Sequence, residues 1–224
     1  MKPIAYIETD FKTKFGIPRQ SGFVPELSGR VVFLPEYSRE EAFRGLSDFS
    51  HIWLIWEFSE AKREKWSPTV RPPRLGGNKR IGVFATRSPF RPNNIGLSCV
   101  KLEKIEFLGG KAVLIVSGAD LLDGTPIFDV KPYIPAADCV PTALAGYTAE
   151  TVKHLLYVDF PEELLNKIPA EKRAAIKGVL AQDPRPAYIE DRDRVYGVEF
   201  AGFDVRFTVE GDRLTVREIE KSEG

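Results

Sequence analysis

From Ile4 to about Tyr133 this 224-residue chain repeats short β-branched or aromatic runs that stop at Gly, Pro or Asp, among them IAYIET, RVVFLP, HIWLIWEF, RIGVFATR, CVKLEKIEFL, KAVLIVSG and IFDVKPYI. Runs of this length, punctuated this often, specify many strands and leave little room for helix. Gly109 and Gly110 separate two of them, where a tight antiparallel turn needs positive φ. One helix is expected among the strands, over Ser38–Leu46, with Ser38 as N-cap and Glu41 completing a capping box three residues on. The first part of the chain is thus mainly β, an N-terminal β-barrel or strongly curved sheet, placed at residues 1–145.

After Asp138 the pattern changes. TAETVKHLLYVDF and PEELLNKIPAEKRAAIKGVLAQD carry apolar residues at three- and four-residue intervals and read as helices, with Pro161 and Pro169 where helices begin or break. VYGVEFAGFDVRFTVEGDRLTVREIE then alternates, which predicts two or three antiparallel strands turning at Glu210, Gly211 and Asp212. Residues 146–224 are expected to form a smaller α+β domain.

The formal net charge is zero, so no whole-chain attraction to nucleic acid exists. The charge is instead concentrated: between Lys62 and Arg91 there are nine Lys/Arg against one acid, Glu64. Much of this lies in RPPRLGGNKRIGVFATRSPFRPNNIG (71–96), where prolines fix φ and glycines allow positive φ, so the loops are specified and irregular. Rigid cationic loops around a short strand suit an anion, and a nucleic-acid backbone is the commonest large one. No run approaches the roughly 18 apolar residues of a membrane span, and the chain reads as cytoplasmic. Cys99 and Cys139 form no CxxC and read as buried bystanders; His51 and His154 lie far apart, so no metal site is expected.

Four segments concentrate residues that carry chemistry. KFGIPRQSG (14–22) sets Lys14, Arg19 and Gln20 around a proline turn. In ATRSPFRPNNIGLS (85–98), Arg87, Arg91 and Asn93 project from a turn stiffened by Pro89 and Pro92. GADLLDGTPIFDVKPY (118–133) holds Asp120, Asp123, Asp129 and Lys131; its DGTP turn explains Gly124 and Pro126. Asp129 and Lys131 alternate on a strand and so share one face, which predicts a buried ion pair or a site. In AQDPRPAY (181–188) a helix stop explains the prolines but not Arg185.

Taken together and in this order, KFGIPRQ, TVRPPRLGGNKRIGVFATRSPFRPNNIGLS, DLLDGTPIFDVKPY and AQDPRPAY resemble the TsaA-like, or TrmO, tRNA methyltransferases of the bacterial type with a C-terminal extension. The resemblance implies a non-Rossmann β-barrel that uses S-adenosylmethionine to methylate N6 of N6-threonylcarbamoyladenosine at position 37 of tRNA, in the anticodon loop. It also implies a homodimer with the cofactor near the subunit boundary. The absence of a strand followed by GxGxxG agrees with a non-Rossmann cofactor site.

By the same resemblance the cofactor contacts fall on Pro18, Arg19, Gln20, Arg87, Leu97 and the loop Asp120, Leu121, Leu122 and Asp123. Ser59 and Glu60 stand where many relatives have a His and a polar residue. Carboxylates suit the sulfonium and α-amino cations, and an arginine suits the methionine carboxylate. Asp129 is the expected catalytic base, with Lys131 beside it. Arg91, with Lys131 in reserve, is the expected clamp on the threonyl carboxylate. Arg71, Arg74, Lys79 and Arg80 are expected to follow the phosphates, with Asn93 and Arg185 extending the RNA face and Phe90 or Tyr133 stacking on a base. A competing reading is an RNA-binding barrel that senses the cofactor or a nucleotide without methyl transfer.

Overall fold

The computed structural model describes residues 1–61, 65–72, 79–149, 155–185, 191 and 193–222. Strands β1 (Ala5–Thr9), β2 (Ser28–Phe33), β3 (His51–Glu57), β6 (Ile95–Leu108), β7 (Lys111–Ser117) and β8 (Thr125–Pro132) close into a barrel in the order β1-β2-β7-β6-β3-β8. Every neighbouring pair is antiparallel. Closure leaves no unpaired sheet edge. The alternation of HIWLIWE is realised directly: Ile52, Leu54 and Trp56 point inward while the intervening residues are half-exposed. Each such buried aliphatic side chain contributes about 1.5–3 kcal/mol. The hairpin joining β6 to β7 turns at Gly109 and Gly110, both with positive φ.

The remaining short strands β4 (Thr69–Val70) and β5 (Ile81–Gly82) pair as a ribbon outside the barrel. RIGVFATR is therefore not a plain strand, because a 3-10 turn, Val83–Ala85, follows at once. The helix expected over Ser38–Leu46 is also absent. Three separate 3-10 turns occupy this stretch, at Pro35–Tyr37, Glu40–Phe43 and Leu46–Asp48, and no side chain caps them. Ser38 Oγ donates instead to the Leu34 carbonyl (2.9 Å). Gly45, at φ 82°, ends any helical propagation, and Phe43 is the one buried residue of these turns, too small an anchor for an amphipathic helix.

Helix α1 (Pro135–Asp138) follows the barrel, then β9 (Tyr157–Asp159), α2 (Glu162–Leu165), α3 (Ala170–Ala181), β10 (Tyr196–Phe200), β11 (Phe203–Glu210) and β12 (Arg213–Lys221). Of the helix expected over residues 148–160, residues 150–154 lie outside the described residues and 157–159 form β9 instead, which runs parallel to β12 at the margin of the sheet β10-β11-β12-β9. The break at Pro169 between α2 and α3 and the turn at Gly211 fall as expected.

Two apolar cores result. One fills the barrel, with Ile7, Val31, Ile52, Leu54, Leu114 and Ile127. The other lies between α3 and the second sheet, and it contains three residues from far upstream: Phe11, Val24 and Leu27, all in the segment joining β1 to β2. Cys139 is exposed and Cys99 half-buried, so the reading of both as buried holds for neither.

Candidate cofactor cleft

One end of the barrel opens into a cleft of about 520 Å³, within the range of small-molecule sites. Four separated segments line it: Ile17–Gln20 from the β1–β2 connection, Trp56–Ala61 at the end of β3, Thr86–Leu97 around the start of β6, and Asp120 with Leu122 before β8. Proline, arginine and glycine in the third segment fix its irregular course. Arg91 donates to the Thr86 carbonyl (2.7 Å) and to that of Val83 (3.4 Å), while Asn94 Nδ2 donates to Pro89 O.

The cleft floor is a buried polar chain. Trp56 Nε1 donates to Ser98 Oγ (3.0 Å), and Ser98 Oγ donates to Asp120 Oδ1 (2.6 Å). Trp56 fits only because Gly96 stands opposite it on β6: a Cβ at that position would lie 2.3 Å from the indole ring. Burial pushes the Asp120 carboxyl up to about 6, against the Ser98 hydrogen bond, the Ser21 backbone N–H and the Arg87 charge. Arg87 in turn donates to Gln20 Oε1, which links the first and third segments. Lys14 holds the Ser59–Ala61 turn through the Glu60 carbonyl (2.9 Å) and carboxylate (3.2 Å). Ile95 and Leu97 supply exposed apolar wall.

The donor set fits the expected cofactor. A carboxylate partly shielded from water gains from a cation, the nearby Arg19, Arg87 and Lys14 suit a carboxylate, and Pro18, Phe58, Ile95 and Leu97 offer apolar surface to a purine. Of the residues expected to touch it, Pro18, Arg19, Gln20, Ser59, Glu60, Arg87, Leu97, Asp120 and Leu122 meet here. Leu121 instead belongs to the barrel core. Asp123 turns away to accept the Thr9 N–H (2.9 Å) and to pair with Lys12 (2.6 Å).

Asp129 and Lys131 do share a face and form an ion pair at 3.0 Å, but the pair is half-exposed and lies outside this cleft. A bulge is the cause. Asp129 pairs with Ile55 and Ile127 with Trp56, so Phe128 is extra and the inward phase passes from Ile127 to Val130. Asp129 borders a second groove, lined by Phe33, Tyr37, Phe43 and Val130 together with the charged Glu36, Arg39, Arg44 and Asp48. Tyr133 packs on Trp53 (5.8 Å between rings), away from the cleft. Arg185 grips Asp183 through two hydrogen bonds of 2.8 and 2.9 Å, and Asp183 sits at φ 52°. Asn93 is exposed and does not line the cleft. Arg71, Lys79 and Arg80 are exposed on the β4–β5 ribbon, whereas Arg74, Tyr188 and His154 lie outside the described residues.

Sequence reasoning missed Ser98 and Trp56, which read as ordinary strand residues. It also missed Trp66 and Phe84, exposed aromatics whose rings stack at 6.0 Å, with the Arg91 guanidinium 5.9 Å from the Phe84 centroid. Among the described residues no His, Cys, Asp and Glu cluster could hold a metal ion, and no helix is long and apolar enough to cross a membrane.

Among the described residues, a closed antiparallel barrel with a carboxylate-floored cleft of small-molecule size and an appended four-stranded sheet define the class of fold. The family model for the tRNA-methyltransferase O N-terminal domain matches residues 6–139, and that for the TrmO C-terminal domain matches 153–222. The chain belongs to the TrmO family. It is 42% identical over 214 residues to the tRNA (adenine(37)-N6)-methyltransferase of Escherichia coli K12, covering 92% of this chain and 91% of that one. A putative S-adenosylmethionine-dependent methyltransferase of Pseudomonas aeruginosa, RcsF, is likewise 42% identical, over 215 residues, with the same coverage. The crystal structure of TrmO from P. aeruginosa superposes with a TM-score of 0.79 at 36% identity, over 98% of this chain and 95% of that one.

Proposed function

We propose that this protein is an S-adenosylmethionine-dependent tRNA methyltransferase acting on N6 of adenosine 37, and that the base it accepts carries an N6-threonylcarbamoyl arm. The observation that carries the reading is the convergence of four separated segments on one cleft with a partly buried carboxylate at its floor. When bound, the cofactor supplies an electrophilic methyl group. Asp120 holds the cationic end, Arg19 and Arg87 the carboxylate, and the apolar wall the purine. An N6 atom that bears a ureido carbonyl is a weak nucleophile, so positioning supplies most of the acceleration. Arg91, which lines the cleft, is our candidate to meet the threonyl carboxylate. The test is incubation with labelled cofactor and tRNA bearing or lacking the threonylcarbamoyl group, followed by nucleoside analysis. Label in a methylated threonylcarbamoyladenosine is expected; cofactor binding without any transfer would favour the sensor reading.

The RNA face runs from the β4–β5 ribbon to the cleft. Arg71, Lys79 and Arg80 supply charge, and Trp66 and Phe84 supply stacking surface for unstacked loop bases. Alanine at the three cations should reduce the slope of log affinity against log salt by about 2–3. Trp66→Ala should weaken tRNA binding about ten- to a hundredfold and leave that slope unchanged. Filter binding across a salt series checks both.

A homodimer belongs to the proposal. Asp129, on the rim of the second groove, and Lys131, its ion-pair partner, are held away from this chain's own cleft and can serve a cleft only from a second copy. Asp129→Asn should then lower kcat and spare cofactor affinity. Mixing it with an inactive Arg87→Ala protein should restore activity, because one site of each mixed dimer is intact; no recovery on mixing would confine the reaction to a single chain.

A further inference from the structure

The segment between β1 and β2 has two loyalties. Its tip carries Pro18, Arg19 and Gln20 into the cleft, yet its flanks are built into the core of the C-terminal domain. Phe11 packs edge-on against Phe200 at 5.4 Å, and Val24 and Leu27 are 2% exposed in the same cluster as Ile176, Val179 and Val198. Polar contacts repeat the pattern. Ala201 N–H donates to the Asp10 carbonyl (2.9 Å), Gln182 to that of Phe23 (3.4 Å), and Lys172 pairs with Asp10 at 2.6 Å with both side chains largely buried.

Two glycines show how close the fit is. A Cβ on Gly178, in α3, would lie 2.6 Å from Val24 Cγ1, and one on Gly16 would lie 2.7 Å from Val198 Cγ1. On its other side the segment is tied to the barrel: Gly22 N–H donates to Gly118 O (2.9 Å), Asp123 N–H to Phe11 O (2.9 Å), and Cys99 N–H to Ser21 Oγ (3.1 Å). Ser21 also gives its backbone N–H to Asp120. These contacts form a continuous path from α3 through Val24 and Ser21 to Gln20, Arg87 and the floor carboxylate.

We infer that the C-terminal domain sets cofactor affinity in the barrel, with Val24, Gly178 and Lys172 as positioning residues that fix the Pro18–Gln20 tip. The inference rests on the reading of the cleft as the cofactor site. A bulky contact at α3 displaces the tip without touching any group that meets the cofactor, so binding falls while chemistry at saturation is spared.

The experiment measures S-adenosylmethionine affinity by calorimetry on the full chain, with kcat at saturating cofactor and tRNA alongside. Gly178→Ala should raise the dissociation constant about tenfold and leave kcat within about twofold. Combining it with Val24→Ala, which removes the γ-carbons it strikes, should recover affinity to within about threefold of the parent. Should Gly178→Ala not fold, Lys172→Met carries the same test and Lys172→Arg its rescue. Arg87→Ala separates the two readings. Unchanged affinity in the positioning variant with loss in Arg87→Ala overturns the role of the C-terminal domain; unchanged affinity in both removes the cofactor from the cleft itself.

Discussion

Asp120→Asn should give a protein that is more stable above pH 6 and binds its cofactor worse. The carboxyl is pushed from 3.8 to about 6, chiefly by burial. Between those values the native state binds a proton that the unfolded chain does not. Stability from this group is therefore fully present below pH 3.8 and is lost as pH rises to 6, a cost of up to about 3 kcal/mol at neutral pH. The neutral amide avoids that cost and can still accept from Ser98. A cationic ligand reverses the balance, because it stabilises the ionised form in a dry site. Cofactor affinity of the parent protein should fall about tenfold per pH unit below 6 as Asp120 protonates in the free enzyme. In Asp120→Asn it should be about 10- to 100-fold weaker at pH 8 and flat with pH. Calorimetry from pH 5 to 8, with thermal melts alongside, checks both halves; a parental pH slope retained in the variant would assign the titration to another group. The combination is a stability cost held in place by function.

Asp120 itself was visible in the sequence, but what makes it unusual was not. The strands were legible because inward and outward residues alternate along β3, β10 and β11, and the hairpin glycines marked the turns. The motif loops were legible because proline and arginine are costly in a plain surface connection. Two kinds of feature were hidden. One is phase: Asp129 and Lys131 share a face as spacing requires, but the bulge at Phe128 decides which face, and the DVKPY residues show no local sign of it. The other is distance. Ser98 reaches Asp120 across 22 positions, and Val24 meets Gly178 across the whole barrel sequence, contacts that no local pattern encodes. The lost helix over Ser38–Leu46 belongs with these, since a capping box favours a first turn but cannot supply the apolar stripe that would stabilise the rest.

Among the described glycines, Gly96→Ala should add the most damaging single methyl. Its Cβ would sit 2.3, 2.5 and 2.6 Å from three atoms of the Trp56 indole, and contacts under 3.0 Å force something to move. The indole has little freedom: it is 7% exposed, packs at a tilt against Phe58 with ring centroids 4.2 Å apart, and is fixed by its bond to Ser98. The backbone is no freer, because Gly96 lies in register with Trp56 on adjacent barrel strands, and closure prevents β6 from drifting alone. Overpacking in such a site costs about 1–3 kcal/mol or more. Ejecting the ring instead would break the Trp56–Ser98 bond and leave the Ser98–Asp120 pair open to water, lowering the Asp120 pKa as burial is relieved. Denaturant unfolding should therefore show a lower midpoint, and the pH at which cofactor affinity breaks should move down from about 6 in whatever folded protein remains. A Gly96→Ala protein with parental midpoint and parental pH break would mean that the indole is not the floor on which Asp120 rests.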